Sequence, residues 1–69
     1  MSLHRSSWTV TGMTCDHCVA SVTEEVAALA GVVDVRVDLE SGRVDVTSDE
    51  PLDADQVAAA VDEAGYALA

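Results

Sequence analysis

Phenylalanine and lysine are both absent from this chain, and its only aromatic residues are Trp8 and Tyr66. Without bulky aromatics, a core has to be assembled from small, mostly β-branched side chains, and the chain supplies twelve Val and eleven Ala for it. Without lysine, three Arg stand against thirteen Asp and Glu, a formal net charge of −10. Nucleic acids are held by clustered Arg and Lys that neutralise phosphates, so DNA and RNA are excluded as partners. Anionic membrane surfaces are disfavoured for the same reason. No apolar run approaches the ~20 residues needed to span a bilayer. Met1 to Ser7 leads into no apolar segment of the kind export signals contain. The expectation is a cytoplasmic chain with no membrane insertion. At 69 residues it has room for a single domain. Residues 1–4 are expected to be a disordered or vector-derived start.

Cysteine is scarce too: Cys15 and Cys18 are the only two, three positions apart. A bridge enclosing two residues stabilises little, because loop-closure entropy grows with loop length. Metal binding and redox chemistry are the uses that remain for vicinal thiols.

The hydrophobic pattern changes period along the chain. Trp8 and Val10, with Ser6, alternate with Ser7, Thr9 and Thr11, which predicts a strand over residues 5–11 with one buried face. Trp8 is a large filler for that face. Gly12-Met13-Thr14 breaks the pattern as a loop. From Asp16 to Ala30 the spacing is helical, with Val19, Val22, Val26 and Leu29 on one face and Gly31 as the stop. Val33, Val35 and Val37 alternate with Asp34, Arg36 and Asp38. After the turn Glu40-Ser41-Gly42, Val44 and Val46 alternate with Arg43, Asp45 and Thr47, so the two segments form a hairpin. Asp53 followed by Gln56 reads as a capping box. Val57, Ala60, Val61 and Ala64 continue as a helix stopped by Gly65, and Tyr66-Ala67-Leu68 is long enough only for an edge strand. The order βαββαβ predicts an α+β, ferredoxin-like sandwich. A four-stranded antiparallel sheet carries both helices on one face.

The chemistry is concentrated in Gly12-Met13-Thr14-Cys15-Asp16-His17-Cys18, between the first strand and the first helix. Cys15 falls on the loop and Cys18 in the first helical turn. The positive end of a helix favours thiolate over thiol there, and thiolate is the form that binds metal. Two soft thiolates with no evident third ligand suit a soft ion of low coordination number, and Cu(I) fits. Structural zinc closes a shell of four ligands. Only His17 is near enough to be a third, and its ring points to solvent in this reading, while His4 lies in the mobile start. Zinc within one chain is therefore disfavoured, although two chains could pool four thiolates. His17 is read either as a solvated residue at the helix start or as a modulator, a proton-linked neighbour or a ligand in a metal-bridged dimer. Asp16 is explained by the helix dipole alone, and Met13 by core packing.

With GMTCxxC placed between a strand and a helix of a βαββαβ chain, the sequence resembles the heavy-metal-associated domain family over residues 5–69. It looks most like the free-standing bacterial copper chaperones, in which CxHC is a familiar form of the motif. The resemblance implies Cu(I) as cargo, bound through Cys15 and Cys18. It implies transfer by thiolate exchange, through a three-coordinate intermediate, to the metal-binding domain of a copper-exporting P-type ATPase. It implies that Met13 fixes the loop without ligating, and that Tyr66 stands at an aromatic position beside it. Eukaryotic relatives tend to carry Lys at that position and dock through basic patches. A chain without Lys is expected to meet a basic or apolar partner patch instead. The expectation is thus a metal carrier, not an enzyme. Three alternatives stay open: an excised domain of such an ATPase, a carrier of Hg(II), Cd(II) or Zn(II), and a thiol–disulfide oxidoreductase. The chain ends four residues after Gly65, which favours the stand-alone protein. A metal-bridged homodimer is a further arrangement that an exposed two-thiolate site allows. Because metal is the cargo, the domain should fold without it.

Overall fold

Alternation on the strands and the 3.6-residue period on the helices resolve into one sheet and one helical layer. A computed structural model describes residues 3–69. Its elements are β1 (His4–Thr11), α1 (Asp16–Ala27), β2 (Val32–Asp38), β3 (Arg43–Ser48), α2 (Ala54–Glu63) and β4 (Ala67–Leu68). The strands lie in the order β2-β3-β1-β4 and every neighbouring pair is antiparallel. This is the ferredoxin-like arrangement expected from the sequence. None of the described helices is long and apolar enough to cross a membrane.

The core lies between the layers. Val10 comes from β1, Val44 and Val46 from β3, Val22 and Val26 from α1, and Val57, Ala60 and Val61 from α2. Six of these Val are fully buried, each contributing roughly 1.5–3 kcal/mol relative to exposure. Trp8 is half-buried against this cluster, and its indole N–H donates to Ser6 Oγ at 3.1 Å. The capping box forms at the start of α2, where the Asp53 N–H donates to Gln56 Oε1 at 3.2 Å.

The structure departs from the sequence pattern in four places. A bulge sits in β2, where Val32 pairs with Ser48 but Asp34 already pairs with Thr47. Two residues then oppose one, and the alternation resets. Val32 therefore packs on the core, while Val33, expected on the apolar face, is 61% exposed. Helix α1 ends at Ala27, not Ala30, and Leu29 reaches the core from the loop, its N–H on Val26 O at 3.1 Å. Val19, expected on the buried stripe, is only half-buried. Part of the expected loose start, residues 1–2, lies outside the described residues. His4, however, belongs to the sheet, paired with Ser48.

The outer face of the sheet holds every arginine of the chain. In register across β1, β3 and β2 lie Arg5, Thr47 and Asp34, then Ser7, Asp45 and Arg36, then Thr9, Arg43 and Asp38. Arg36 pairs with Asp34 at 3.2 Å and Arg43 with Asp45 at 2.8 Å. Both pairs are exposed, so each is worth only ~0–1 kcal/mol. Their consequence is in the charge map. Three Arg face three Asp here, so the other ten of the thirteen carboxylates carry the whole net charge of −10 elsewhere on the surface.

Candidate metal centre

The site is built by the turn that joins β1 to α1. Cys15 is the N-cap residue of α1, with extended backbone (φ −157°, ψ 170°), as N-cap residues usually have. Its carbonyl accepts the N–H groups of Cys18 at 3.0 Å and Val19 at 3.3 Å, closing the first turn. That turn swings the Cys18 side chain back toward the cap, and the two sulfurs lie 3.3 Å apart. Both are free thiols; Cys15 is exposed and Cys18 buried. The expected exposed two-thiol site therefore holds for Cys15 alone. Cys18 continues the buried stripe of Val22 and Val26, because residues spaced by four share a helix face.

Hydrogen bonding acts on the buried sulfur. The Cys18 thiol is lowered from its ordinary 9.0 to about 6, chiefly by the Thr14 main-chain N–H, then by the Tyr66 hydroxyl and the Cys15 thiol, against the opposing effect of desolvation. Each of these donors stabilises the thiolate. Tyr66 responds in the opposite direction: donating to Cys18 and partial burial both raise its own pKa. A group whose pKa falls on folding adds stability that is complete above its unfolded value. That contribution is lost as pH drops through the folded one. For Cys18 the window runs from pH 9.0 down to about 6. We expect an ultraviolet titration of the reduced chain to show one thiolate forming with a midpoint near pH 6, and Tyr66→Phe to move that midpoint upward. A first thiolate appearing only near the ordinary cysteine value, or a midpoint indifferent to the Tyr66 hydroxyl, would contradict this account.

The remaining candidates divide clearly. Met13 is half-buried and packs against the core cluster, away from a ligand's role. Tyr66 is half-buried and closes over the loop, where a Cβ on Gly12 would meet its ring at 3.4 Å. His17 is exposed, and only its carbonyl is engaged, accepting from Ser21 Oγ at 3.1 Å. Asp16 is exposed in the first turn of α1. Among the described residues no three His, Cys, Asp or Glu side chains come together as a metal shell. Thr14 is the residue that sequence reasoning passed over. Besides its main-chain donation, its Oγ1 lies 3.9 Å from Cys18 Sγ. A hydroxyl residue four positions before a thiol at a helix start was the available signal.

Comparison with known proteins agrees with this fold. The family model of the heavy-metal-associated domain matches residues 8–67. The copper chaperone CopZ of Bacillus subtilis (strain 168) is 43% identical over 61 residues, covering 87% of this chain and 88% of that protein. A zinc/cadmium/lead-transporting P-type ATPase of Escherichia coli (strain K12) is 41% identical over 64 residues, covering 93% of this chain but 9% of the ATPase. Among solved structures, a CopZ metallochaperone superposes with a TM-score of 0.88 at 30% identity, covering 96% of this chain and all of that one.

Proposed function

The chain belongs to the heavy-metal-associated domain family, and we propose that within it the protein is a Cu(I) carrier. It binds one ion through Cys15 and Cys18 and passes it to the metal-binding domain of a copper-exporting P-type ATPase. The observation that carries this reading is the pair of sulfurs 3.3 Å apart with no third protein ligand among the described residues, one sulfur exposed and the other buried. Two thiolates and no more suit a soft monovalent ion better than zinc, which takes four ligands in closed sites. The asymmetry suits transfer. An incoming thiolate reaches the metal on the Cys15 side, forms a three-coordinate intermediate and displaces Cys15 first. Cys18 lets go last, since it is buried and the incoming thiolate meets the exposed Cys15 side first.

Met13 supports the loop from the core side and Tyr66 from above, and His17 is left as an exposed neighbour. The reducing cytoplasm is the compartment in which both thiols stay free. Exposure of Cys15 also opens the ion to a second copy, which is the route to a metal-bridged homodimer. The P-type ATPase relatives keep the second reading in view, a domain excised from such a transporter. They also keep zinc and cadmium among the ions to test.

An anaerobic competition titration of Cu(I) against Zn(II), Cd(II) and Hg(II), each buffered by a chelator, decides the metal. We expect one Cu(I) per chain, retained against Zn(II) and Cd(II). Zn(II) or Cd(II) held in the presence of buffered Cu(I) would overturn the copper assignment. Sedimentation of the Cu(I)-loaded samples reads the dimer in the same experiment, and an unchanged mass at one ion per chain removes it. The oxidoreductase reading requires a dithiol couple that turns over at potentials like those of glutaredoxins. Redox titration of the metal-free chain measures this.

A further inference from the structure

The flank of α2 turned toward β4 has a shallow recess of about 430 Å³ beside the metal loop. Its lining is Ala58, Ala59, Asp62, Tyr66, Ala67 and Leu68. Ala58, Ala59, Ala67 and Leu68 make it largely apolar, and its one charged residue is Asp62. Tyr66 is a wall shared with the metal site, since its ring also closes over Gly12 at the start of the metal loop. Among the described residues Asp62 has no ion pair, and all three arginines lie on the outer face of the sheet, where Arg36 and Arg43 pair with Asp34 and Asp45. Nothing among the described residues on this side of the molecule neutralises it.

We propose that this recess receives a lysine or arginine side chain from the protein that takes the metal. Such a side chain matches both halves of the site: its alkyl stem lies on apolar surface while its charged head stays at the rim. The stem would run over Ala58, Ala59 and Leu68, and the head would meet Asp62. A purely apolar side chain would strip water from the Asp62 carboxylate without replacing it, and an acidic one would be repelled by Asp62 and Glu63. The net charge of −10, displaced from the neutral sheet face, steers a basic surface toward the helical side. The identity of the partner rests on the carrier reading, but the recess can be tested without metal.

The probe is acetyl-lysine methylamide titrated into the isotope-labelled, metal-free chain, followed by backbone NMR shifts. Acetyl-norleucine and acetyl-glutamate methylamides serve as comparisons. The expected result is shifts centred on residues 58–59, 62 and 66–68, with the lysine compound binding more tightly than either comparison. Asp62→Asn should weaken the lysine compound roughly two- to fivefold, as loss of an exposed ion pair does. Ala59→Trp, at an exposed position, should fill the recess and abolish the response. Lysine-induced shifts spread evenly over the acids of α1 and the 49–55 turn would overturn the proposal, as would an affinity indifferent to Asp62→Asn. Because no metal is present, failure of the copper reading would leave this outcome standing, and the reverse also holds.

Discussion

Replacing both Cys15 and Cys18 by serine should abolish stoichiometric Cu(I) binding while leaving the domain folded. The affinity is expected to fall by at least about a thousandfold, ~4 kcal/mol. Serine offers a hard, protonated hydroxyl where a soft ion needs thiolate. No third group is placed to take over, because no further His, Cys, Asp or Glu shell exists among the described residues. The two single variants should separate on stability. Cys15 is an exposed N-cap, a position where serine is among the preferred residues, so Cys15→Ser should be neutral or slightly stabilising. Cys18 is buried, and burying a hydroxyl in its place costs ~1–3 kcal/mol. The Thr14 and Tyr66 hydroxyls beside it offer polar partners that hold the cost to the lower end of that range. That is a drop in Tm of roughly 4–8 °C per kcal/mol for a domain of this size. Isothermal titration under chelator competition reads the affinity, and circular dichroism melts read the fold. A double variant that keeps one Cu(I) at the original affinity would place the ligands elsewhere.

Much of this site is legible in the residues themselves. The break from period 2 to period 3.6 at Gly12-Met13-Thr14 marks a loop between strand and helix, and the two thiols fall on either side of the helix start. Which thiol is buried is harder to read. Val19, Val22, Val26 and Leu29 make one acceptable helical face, and Cys18, Val22, Val26 and Leu29 make another. Packing selects the second, in which the thiol behaves as a small apolar side chain. The β2 bulge is invisible for a related reason. Val32 and Val33 are both apolar, so the string of residues cannot say which of them faces the core. The pairing of Val32 with Ser48 and of Asp34 with Thr47 decides it. Helix α1 stops before its apolar pattern does, since Leu29 can reach the core from a loop. The segregation of charge is half legible. Alternation puts Arg36 and Arg43 on the polar face of the hairpin, but their neutralisation depends on cross-strand register. That register exists only once β1, β3 and β2 are paired.

Gly42→Ala should be the most damaging single-methyl addition in the molecule. The residue ends the hairpin turn with φ +76°, a conformation that disfavours a side chain by ~1–2 kcal/mol. Its surroundings make this worse. Its N–H donates to Asp38 O at 2.9 Å and its carbonyl accepts the Val10 N–H at 2.8 Å, extending the β1–β3 ladder. A Cβ built there would stand 2.5 Å from the Val10 carbonyl oxygen. That oxygen is main chain in a strand whose Val10 side chain is buried in the core, so it cannot rotate away. Relief requires β1 to part from the hairpin and weaken the Val10–Gly42 bond, which adds about 1–2 kcal/mol. The total, ~2–4 kcal/mol, is a large share of the roughly 3–10 kcal/mol that a domain of this length has. A matched control isolates the contact from the backbone angle. Gly65, at the end of α2, has φ +93°, and a Cβ added to it would meet nothing within 4 Å. Gly65→Ala should therefore cost only the conformational part, ~1–2 kcal/mol. Thermal or urea unfolding of both variants measures the difference. We expect Gly42→Ala to be the less stable by at least ~1 kcal/mol, and equal costs at the two positions would mean that the Val10 carbonyl does not approach Gly42 in the way described.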